Sequence, residues 1–539
     1  MIRMPRRIAA FLALLLVAAV GLTGCGGSKA PSSSSGTTEQ PKKEEPAKPK
    51  TMVLAYSDGG TTVDPAMAND LTSDTLTLAV YDTLVQFGVK EEGGKQVADT
   101  VNIKPMLAES FTPSADGKSY TFKLRKAKFQ NGDPVTAEAV RWSYERLYNI
   151  GASGKFLFQT AGIKDPSSIK VIDEQTIQIN LEAQTPTFLQ VLALYNWAVL
   201  NPKIGQEKGN DWLAKNAEGT GSGPFKLVSW NPATEAVLEA NKDYWAGAPK
   251  VDKMVIKFIK EDSNRLMLLQ SGDADLAIEI PPKDVTSLQA NQNLVVRSDA
   301  SGRILYFLLN TAVKPFDNKK VRQAVSYAIP YKDLTDKVMY GQAKQAKSPL
   351  PSFMPMYDGS FWKYDTNLDK AKQLLAEAGL PNGFEFTFLL GSGFSDWEQD
   401  AVLIQDSLAK IGVKMNIQRM QRSEFLQVIK KQDTPAFISK WTSFVNDPAY
   451  HLGFLLEGKG SSNYGKYVNP EVDKRLAEAA KLMDPAKRAG LYKEAQQMIV
   501  DDAPWIFLYE YNRVVTMNKN VKGYVFFQDE LIRPYLLSK

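Results

Sequence analysis

At 539 residues, with a formal net charge of +5, 44% hydrophobic residues, one cysteine and one histidine, the chain exceeds what one core usually holds and is expected to form two or more lobes. A single cysteine excludes a disulfide framework and a cysteine-based metal site, and a single histidine excludes multi-histidine zinc coordination within the chain. Residues 1–50 carry eight Lys/Arg against three Glu, which leaves 57 basic and 57 acidic side chains in the rest. The positive balance therefore belongs to the N-terminal segment and gives no reason to expect a nucleic-acid-binding body.

Arg3, Arg6 and Arg7 precede an apolar run from Ile8 to Leu22, and Thr23-Gly24-Cys25 closes it. A basic flank, a short apolar core and small residues before a break predict a secretory signal over 1–24. The run is short for a spanning helix, which needs roughly 20 apolar residues. Leu22-Thr23-Gly24-Cys25 resembles the bacterial lipobox, which implies lipidation of Cys25 and a mature chain that begins there, on the outer face or periplasmic side of the cell membrane. Each buried methylene contributes about 0.8 kcal/mol, so the two chains of a diacylglycerol hold stably where one would be marginal. Residues 26–50 are rich in Ser, Pro, Lys and Glu and read with Cys25 as a flexible tether over 25–50.

From residue 51 the pattern becomes globular. Thr51–Tyr56 reads as a strand, 71–87 as a helix, and 110–112 with 120–124 as a hairpin around Asp116-Gly117, a strong tight-turn signal. Thr136 is placed to cap a helix through Tyr148, with Glu138 suiting its positive end. Strand patterns recur at 176–181, 225–230, 236–240 and 254–259. Beyond residue 300, strands at 304–309 and 385–390 alternate with helices at 321–328, 368–378, 397–411 and 472–482, which predicts an α/β lobe with a substantially parallel sheet.

Several motifs fail on inspection. Gly219-Thr-Gly-Ser-Gly-Pro lacks the Lys-Ser/Thr ending of a phosphate loop and leads into a strand, so it reads as a structural turn. Asp273-Ala-Asp275 opens like a calcium loop, but the sixth position is Ile278 and the twelfth is Asp284. His451 would have to serve any imidazole-based triad, and no Gly-x-Ser-x-Gly surrounds a serine. No cofactor is expected, and the chain is not expected to be an enzyme.

Three blocks, in order, carry a family resemblance. They are Pro105-Met-Leu-Ala-Glu-Ser-Phe through Ala115-Asp-Gly-Lys-Ser-Tyr to Asn131-Gly-Asp-Pro-Val-Thr-Ala-Glu; Gly219-Thr-Gly-Ser-Gly-Pro-Phe to Asn241-Lys-Asp-Tyr-Trp; and Asn310-Thr-Ala-Val-Lys-Pro-Phe-Asp-Asn-Lys-Lys-Val-Arg-Gln-Ala-Val. Together they resemble the dipeptide, oligopeptide and nickel branch of bacterial extracellular solute-binding proteins, family 5. The resemblance implies an α/β, two-lobed fold of the type II periplasmic-binding-protein kind, with mixed sheets and a two-strand hinge. It places lobe I at 51–304 with a return at 509–539, and lobe II at 305–508, with crossings near 304–310 and 506–513. It also implies a monomer that captures a small ligand, a peptide or peptide-like solute, and passes it to an ABC permease with its ATPase subunits.

The leading pocket candidates are Trp441 and the turn at Asn446-Asp447-Pro448. Peptide-binding relatives carry an aspartate for the ligand's ammonium three residues before the Asp/Glu-Pro, and that position here is Phe444. An unpaired buried ammonium costs several kcal/mol, so another acid substitutes or the ligand lacks a free amine. Asp447 is the nearest acid, and a residue of this type before Pro also suits a turn. Tyr56, Tyr306, Tyr509 and Tyr511 lie near the crossings, as cleft-lining or as core residues. Non-peptide solutes (an oligosaccharide or a metal chelate) remain the alternative, and a surface glycan hydrolase is a further one, marked by a carboxylate pair about 5–10 Å apart.

Overall fold

The computed structural model describes residues 49–150 and 152–539; the signal, Cys25 and nearly all of the tether lie outside them. Two long strands, Leu294–Leu309 and Trp505–Asn518, pair antiparallel through the middle of an 11-stranded sheet. Toward one edge, Trp505–Asn518 pairs with Leu276–Ile278, followed by Thr51–Tyr56, Lys253–Phe258, Glu235–Ala240 and Phe225–Asn231. Toward the other edge, Leu294–Leu309 pairs with Ala436–Thr442, followed by Glu385–Gly391 and Lys414–Met420. The last three are mutually parallel, as the alternating pattern predicts, whereas the long strands join them antiparallel. The sheet is mixed for that reason.

The apolar runs at the crossings are explained by burial on both faces. Leu305, Phe307 and Leu309 enter one core with Phe388, Trp397 and Tyr509. Ile304, Tyr306 and Leu308 face the opposite core with Phe437, Trp505 and Phe507. Tyr306 stacks on Trp505 at 3.9 Å between centroids and 16° between planes, a pairing worth about 0.5–1.5 kcal/mol beyond its buried area. The N-terminal half has its own cores. One collects Met52, Leu54, Tyr56, Val515 and Phe526, and the other collects Phe122, Tyr144, Phe158 and Trp197.

Local expectations mostly hold. The hairpin pairs Ala108–Pro113 with Ser119–Leu124, and Gly117 takes the positive φ of 64° that its turn requires. Thr136 Oγ1 accepts from the Ala139 amide at 3.3 Å at the start of the helix Ala137–Ile150. The helix expected over 71–87 instead ends at Val80, and a strand Val85–Glu92 follows. Buried Asp82 ends it: its carboxylate accepts from Ser222, Tyr244 and Trp245, each at 2.9 Å. Those partners lie 140 residues or more away, so helical periodicity carries no trace of them. The Gly-rich turn at 219–224 is structural, since a Cβ on Gly221 would sit 2.0 Å from the Val80 carbonyl oxygen. Asp275 accepts from the Val53 amide at 2.8 Å and from Lys539 at 2.7 Å, and among the described residues no cluster suits a metal ion.

Candidate functional site

The long strands lose register between Ala300 and Ile304. Bulges re-aim side chains, and here the displaced residues are Ser301, Gly302 and Arg303. Ser301 Oγ accepts from the Arg303 amide at 3.0 Å, and the Gly302 carbonyl accepts from the Ser443 amide at 3.3 Å. Arg303 pairs with Glu530, which is 4% exposed. Around this pair stand Glu279, Lys440, Asp396 and Arg513, from both sides of the crossing.

The charges in this group act on one another. Burial, then the neighbouring Arg303, pushes the Lys440 ammonium down to about 8, against the pull of Asp396, Glu279 and Glu530. Burial opposes ionisation of Glu279, but the Ser57 hydroxyl and the Arg513, Arg303 and Lys440 charges outweigh it and hold the carboxyl below its usual range. Protein mass surrounds Glu279, yet its side chain meets solvent, as expected of a group lining a wet cleft. Glu279 (φ 56°) and Glu530 (φ 61°) both hold left-handed backbone, which costs a non-glycine residue about 1–3 kcal/mol and gathers at functional sites. Arg513 is 4% exposed, and its Nε and Nη2 have no partner. Asp396 accepts from the Tyr511 hydroxyl at 2.7 Å.

Beside this floor lies a cavity of about 300 Å³. Lys95, Val97 and Thr100 line it from the N-terminal half, Ala300 from the crossing strand, and Phe353 and Asn446 from the other half. Asn446 Nδ2 donates to Thr100 Oγ1 at 3.1 Å across the gap. Gln528, another lining residue, is 3% exposed with both amide atoms unpartnered, and Asn446 Oδ1 is also free. Buried polar groups are normally paired, and these atoms have hydrogen-bonding capacity to offer a polar guest.

Of the residues singled out in the sequence, Trp441 and Phe444 sit together, half-buried, against the core of Phe122 and Trp197. The Trp441 indole N–H is unpartnered. Against the same core lies an aromatic contact across the halves, in which Phe156 meets Phe454 at 4.3 Å and Tyr450 at 6.3 Å. Asp447 caps the helix Pro448–Leu455 and pairs with Arg488 at 2.7 Å, buried on both sides, so its carboxylate is already engaged. Tyr56, Tyr306 and Tyr509 are at most 2% exposed. Tyr509 donates to Asp400 at 2.7 Å, and the Tyr56 hydroxyl lies 3.4 Å from that of Thr75; these rings pack in cores. Buried His451 lies 2.6 Å from Ser443 Oγ, and burial pushes its imidazole down to about 3, leaving it neutral. Arg303, Lys440, Glu279, Arg513 and Glu530 were not singled out. Their signal was a charge inside or beside an apolar strand run, as in Ala436-Phe-Ile-Ser-Lys440-Trp.

Comparison with known proteins agrees with this architecture. The family profile of bacterial extracellular solute-binding proteins, family 5 Middle, matches residues 102–463. The probable D,D-dipeptide-binding periplasmic protein DdpA of Escherichia coli K12 is 32% identical over 491 residues, 89% of this chain and 92% of that protein. The glutathione-binding protein GsiB of the same strain is 31% identical, over 88% and 92%. Among solved structures, the periplasmic binding protein DppA of Helicobacter pylori, in complex with a peptide, superimposes with a TM-score of 0.77 at 30% identity, covering 90% of this chain and 97% of that one. These relatives are solute-binding proteins rather than enzymes. The fold is the two-lobed, type II-like one, and the chain belongs to the bacterial extracellular solute-binding proteins of family 5.

Proposed function

We propose that this chain is the receptor of an ABC importer, capturing a peptide or peptide-like solute between lobe I (51–304 and 509–539) and lobe II (305–508). The observation that carries the reading is the cavity between the halves with the unpartnered Gln528 amide on its wall. A side-chain amide with a free donor and a free acceptor matches a peptide unit, and about 300 Å³ is at the small end of ligand pockets. Ligand contacts to both lobes stabilise the closed form over the open one, and the closed form is what the permease and its ATPases receive. The named relatives that bind dipeptides and glutathione point the same way. Cys25 carries the lipid anchor, and residues 26–50 give the lobes reach above the membrane. Trp441 contributes its free indole N–H to the ligand.

The test is mass spectrometry of small molecules released on denaturing the full-length protein purified from a rich-medium host. A stoichiometric set of short peptides is expected. Recovery of a sugar or metal chelate without peptide overturns the ligand class. The N-terminal peptide from the same sample is expected to carry a diacylglycerol on Cys25.

A further inference from the structure

A second cavity, of about 130 Å³, lies within the N-terminal half, apart from the one at the gap. The rings of Tyr81, Tyr195, Tyr244, Trp245, Phe527 and Tyr535 line it. Tyr244 meets both Trp245 and Tyr535 at 5.2 Å between centroids. The wall between the two cavities is a single layer of chain. Phe527 lines this cavity, whereas its neighbours Phe526 and Gln528 line the other, and Val89 and Lys90 divide in the same way. Successive side chains of extended backbone point to opposite sides. The partition therefore follows from the strand Val85–Glu92 and from the stretch that Phe526 bridges to Val97.

The polar atoms on these rings are already engaged with protein. Tyr244 and Trp245 donate to Asp82, each at 2.9 Å. Tyr195 donates to the Ala68 carbonyl at 3.2 Å, and Tyr535 to the Ala246 carbonyl at 2.8 Å. The Tyr81 hydroxyl lies 3.0 Å from that of Thr220. What the rings offer a guest is therefore carbon. Cations already cover two of the ring faces: Arg125 stands 4.1 Å over Trp245, and Arg533 stands 4.0 Å over Phe527. A further positive charge would be repelled there, and Arg533 is engaged by Asp529 at 2.6 Å, so a neutral guest fits best. Thr77 is different. It lines the cavity at 1% exposure, and its Oγ1 has no partner. Buried polar groups are normally paired, and a threonine hydroxyl both donates and accepts.

We infer that this cavity is a second binding site, for a small neutral aromatic molecule with one hydrogen-bonding group, of the phenol or indole class. An apolar cavity of about 150 Å³ holds a benzene ring, and offset or edge-on ring contacts favour an aromatic guest among aromatic walls. The Thr77 hydroxyl pairs with the guest's O–H or N–H. The partition at Phe526–Gln528 keeps this guest apart from the solute, so both cavities fill at once.

The test is calorimetric titration of the full-length protein with phenol, indole, benzene and tetramethylammonium, repeated on T77V and L78W. Leu78 follows Thr77 on the helix Leu71–Val80 and is a half-buried lining residue, so tryptophan there fills the space. Phenol and indole are expected to bind one per chain with a Kd on the order of 0.1–1 mM, as suits so few atoms. Tetramethylammonium is expected not to bind. T77V is expected to fold, because a methyl replaces a hydroxyl that has no partner, and to lower the phenol-to-benzene affinity ratio about three- to tenfold. L78W is expected to abolish binding of all three aromatics. Absence of saturable phenol and indole binding by the unmodified protein overturns the site, as does binding that L78W leaves intact. A phenol-to-benzene ratio unchanged in T77V overturns the hydrogen-bonded guest, and saturable binding of tetramethylammonium overturns the neutral one. Each of these leaves the receptor reading standing, since no solute enters the titrations.

Discussion

Two parts of the gap between the halves are built in opposite ways, although one short strand feeds both. At the crossing, Arg303, Glu530, Glu279, Lys440 and Arg513 form a charged floor with several polar atoms unpartnered. Beside it, Trp441, Phe444, Tyr450 and Phe454 form an apolar contact with the opposite half. Lys440 and Trp441 are neighbours, and a strand turns successive side chains to opposite faces. The difference is one of role. Ring-on-ring contact closes the gap without regard to what is inside, whereas polar groups left unpartnered, the Trp441 indole N–H among them, respond to which ligand enters.

The comparison can be broken most sharply at Arg303. Replacing it with Met strands buried Glu530, and losing one member of a buried pair typically costs about 3–5 kcal/mol. Urea denaturation of R303M is expected to show a loss near the lower figure, because Arg303 is 20% exposed. Adding E530Q is expected to recover much of it. Acid probes the apolar side. His451 is held neutral with a folded pKa of about 3, against about 6.5 when unfolded. Between those values the unfolded chain binds the extra proton, so stability falls as pH drops through 6.5, by up to about 1.4 kcal/mol per unit. H451Q is expected to flatten that slope in melts between pH 7 and 4.5.

Smaller effects sharpen the contrast. Phe454→Ala removes a half-buried ring from the contact with Phe156, a change of about 1 kcal/mol. It is expected to raise the ligand-free radius of gyration in solution scattering. Lys440 has a folded pKa of about 8, below its ordinary 10.5, so between these values the unfolded chain holds more protons and stability rises with pH. Ligand-free K440M is therefore expected to melt slightly higher than the unmodified protein at pH 7, with the gap closing toward pH 10.

Much of the frame was legible because local rules produced it. The family resemblance placed the crossings near 304–310 and 506–513, and the long paired strands Leu294–Leu309 and Trp505–Asn518 run through those stretches, apolar because both faces are buried. Asp116-Gly117 fixed a hairpin, and Thr136 a helix start. The site was legible only by neighbourhood. The tyrosines beside the crossings drew attention because aromatic hydroxyls suit a ligand, yet Tyr306 and Tyr509 fill cores. The charged residues nearby, Arg303 and Arg513, belong instead to the group of interacting charges around Glu530 and Glu279. Asp447 shows the same limit, since its partner Arg488 is 41 residues away.

By itself, then, the sequence determined the family, through three motif blocks in order and the two-lobed α/β frame they imply, and many of the local strands, turns and helix starts, because periodicity and turn chemistry act over a few residues. The tertiary structure decided which side chains meet at the gap. A bulge at 301–303 turned Arg303 toward Glu530, and chain pairing across more than 200 residues brought Glu279 to Arg513. Whether a charge ends up paired, desolvated or left for a ligand depends on neighbours distant in sequence, and no local pattern encodes them.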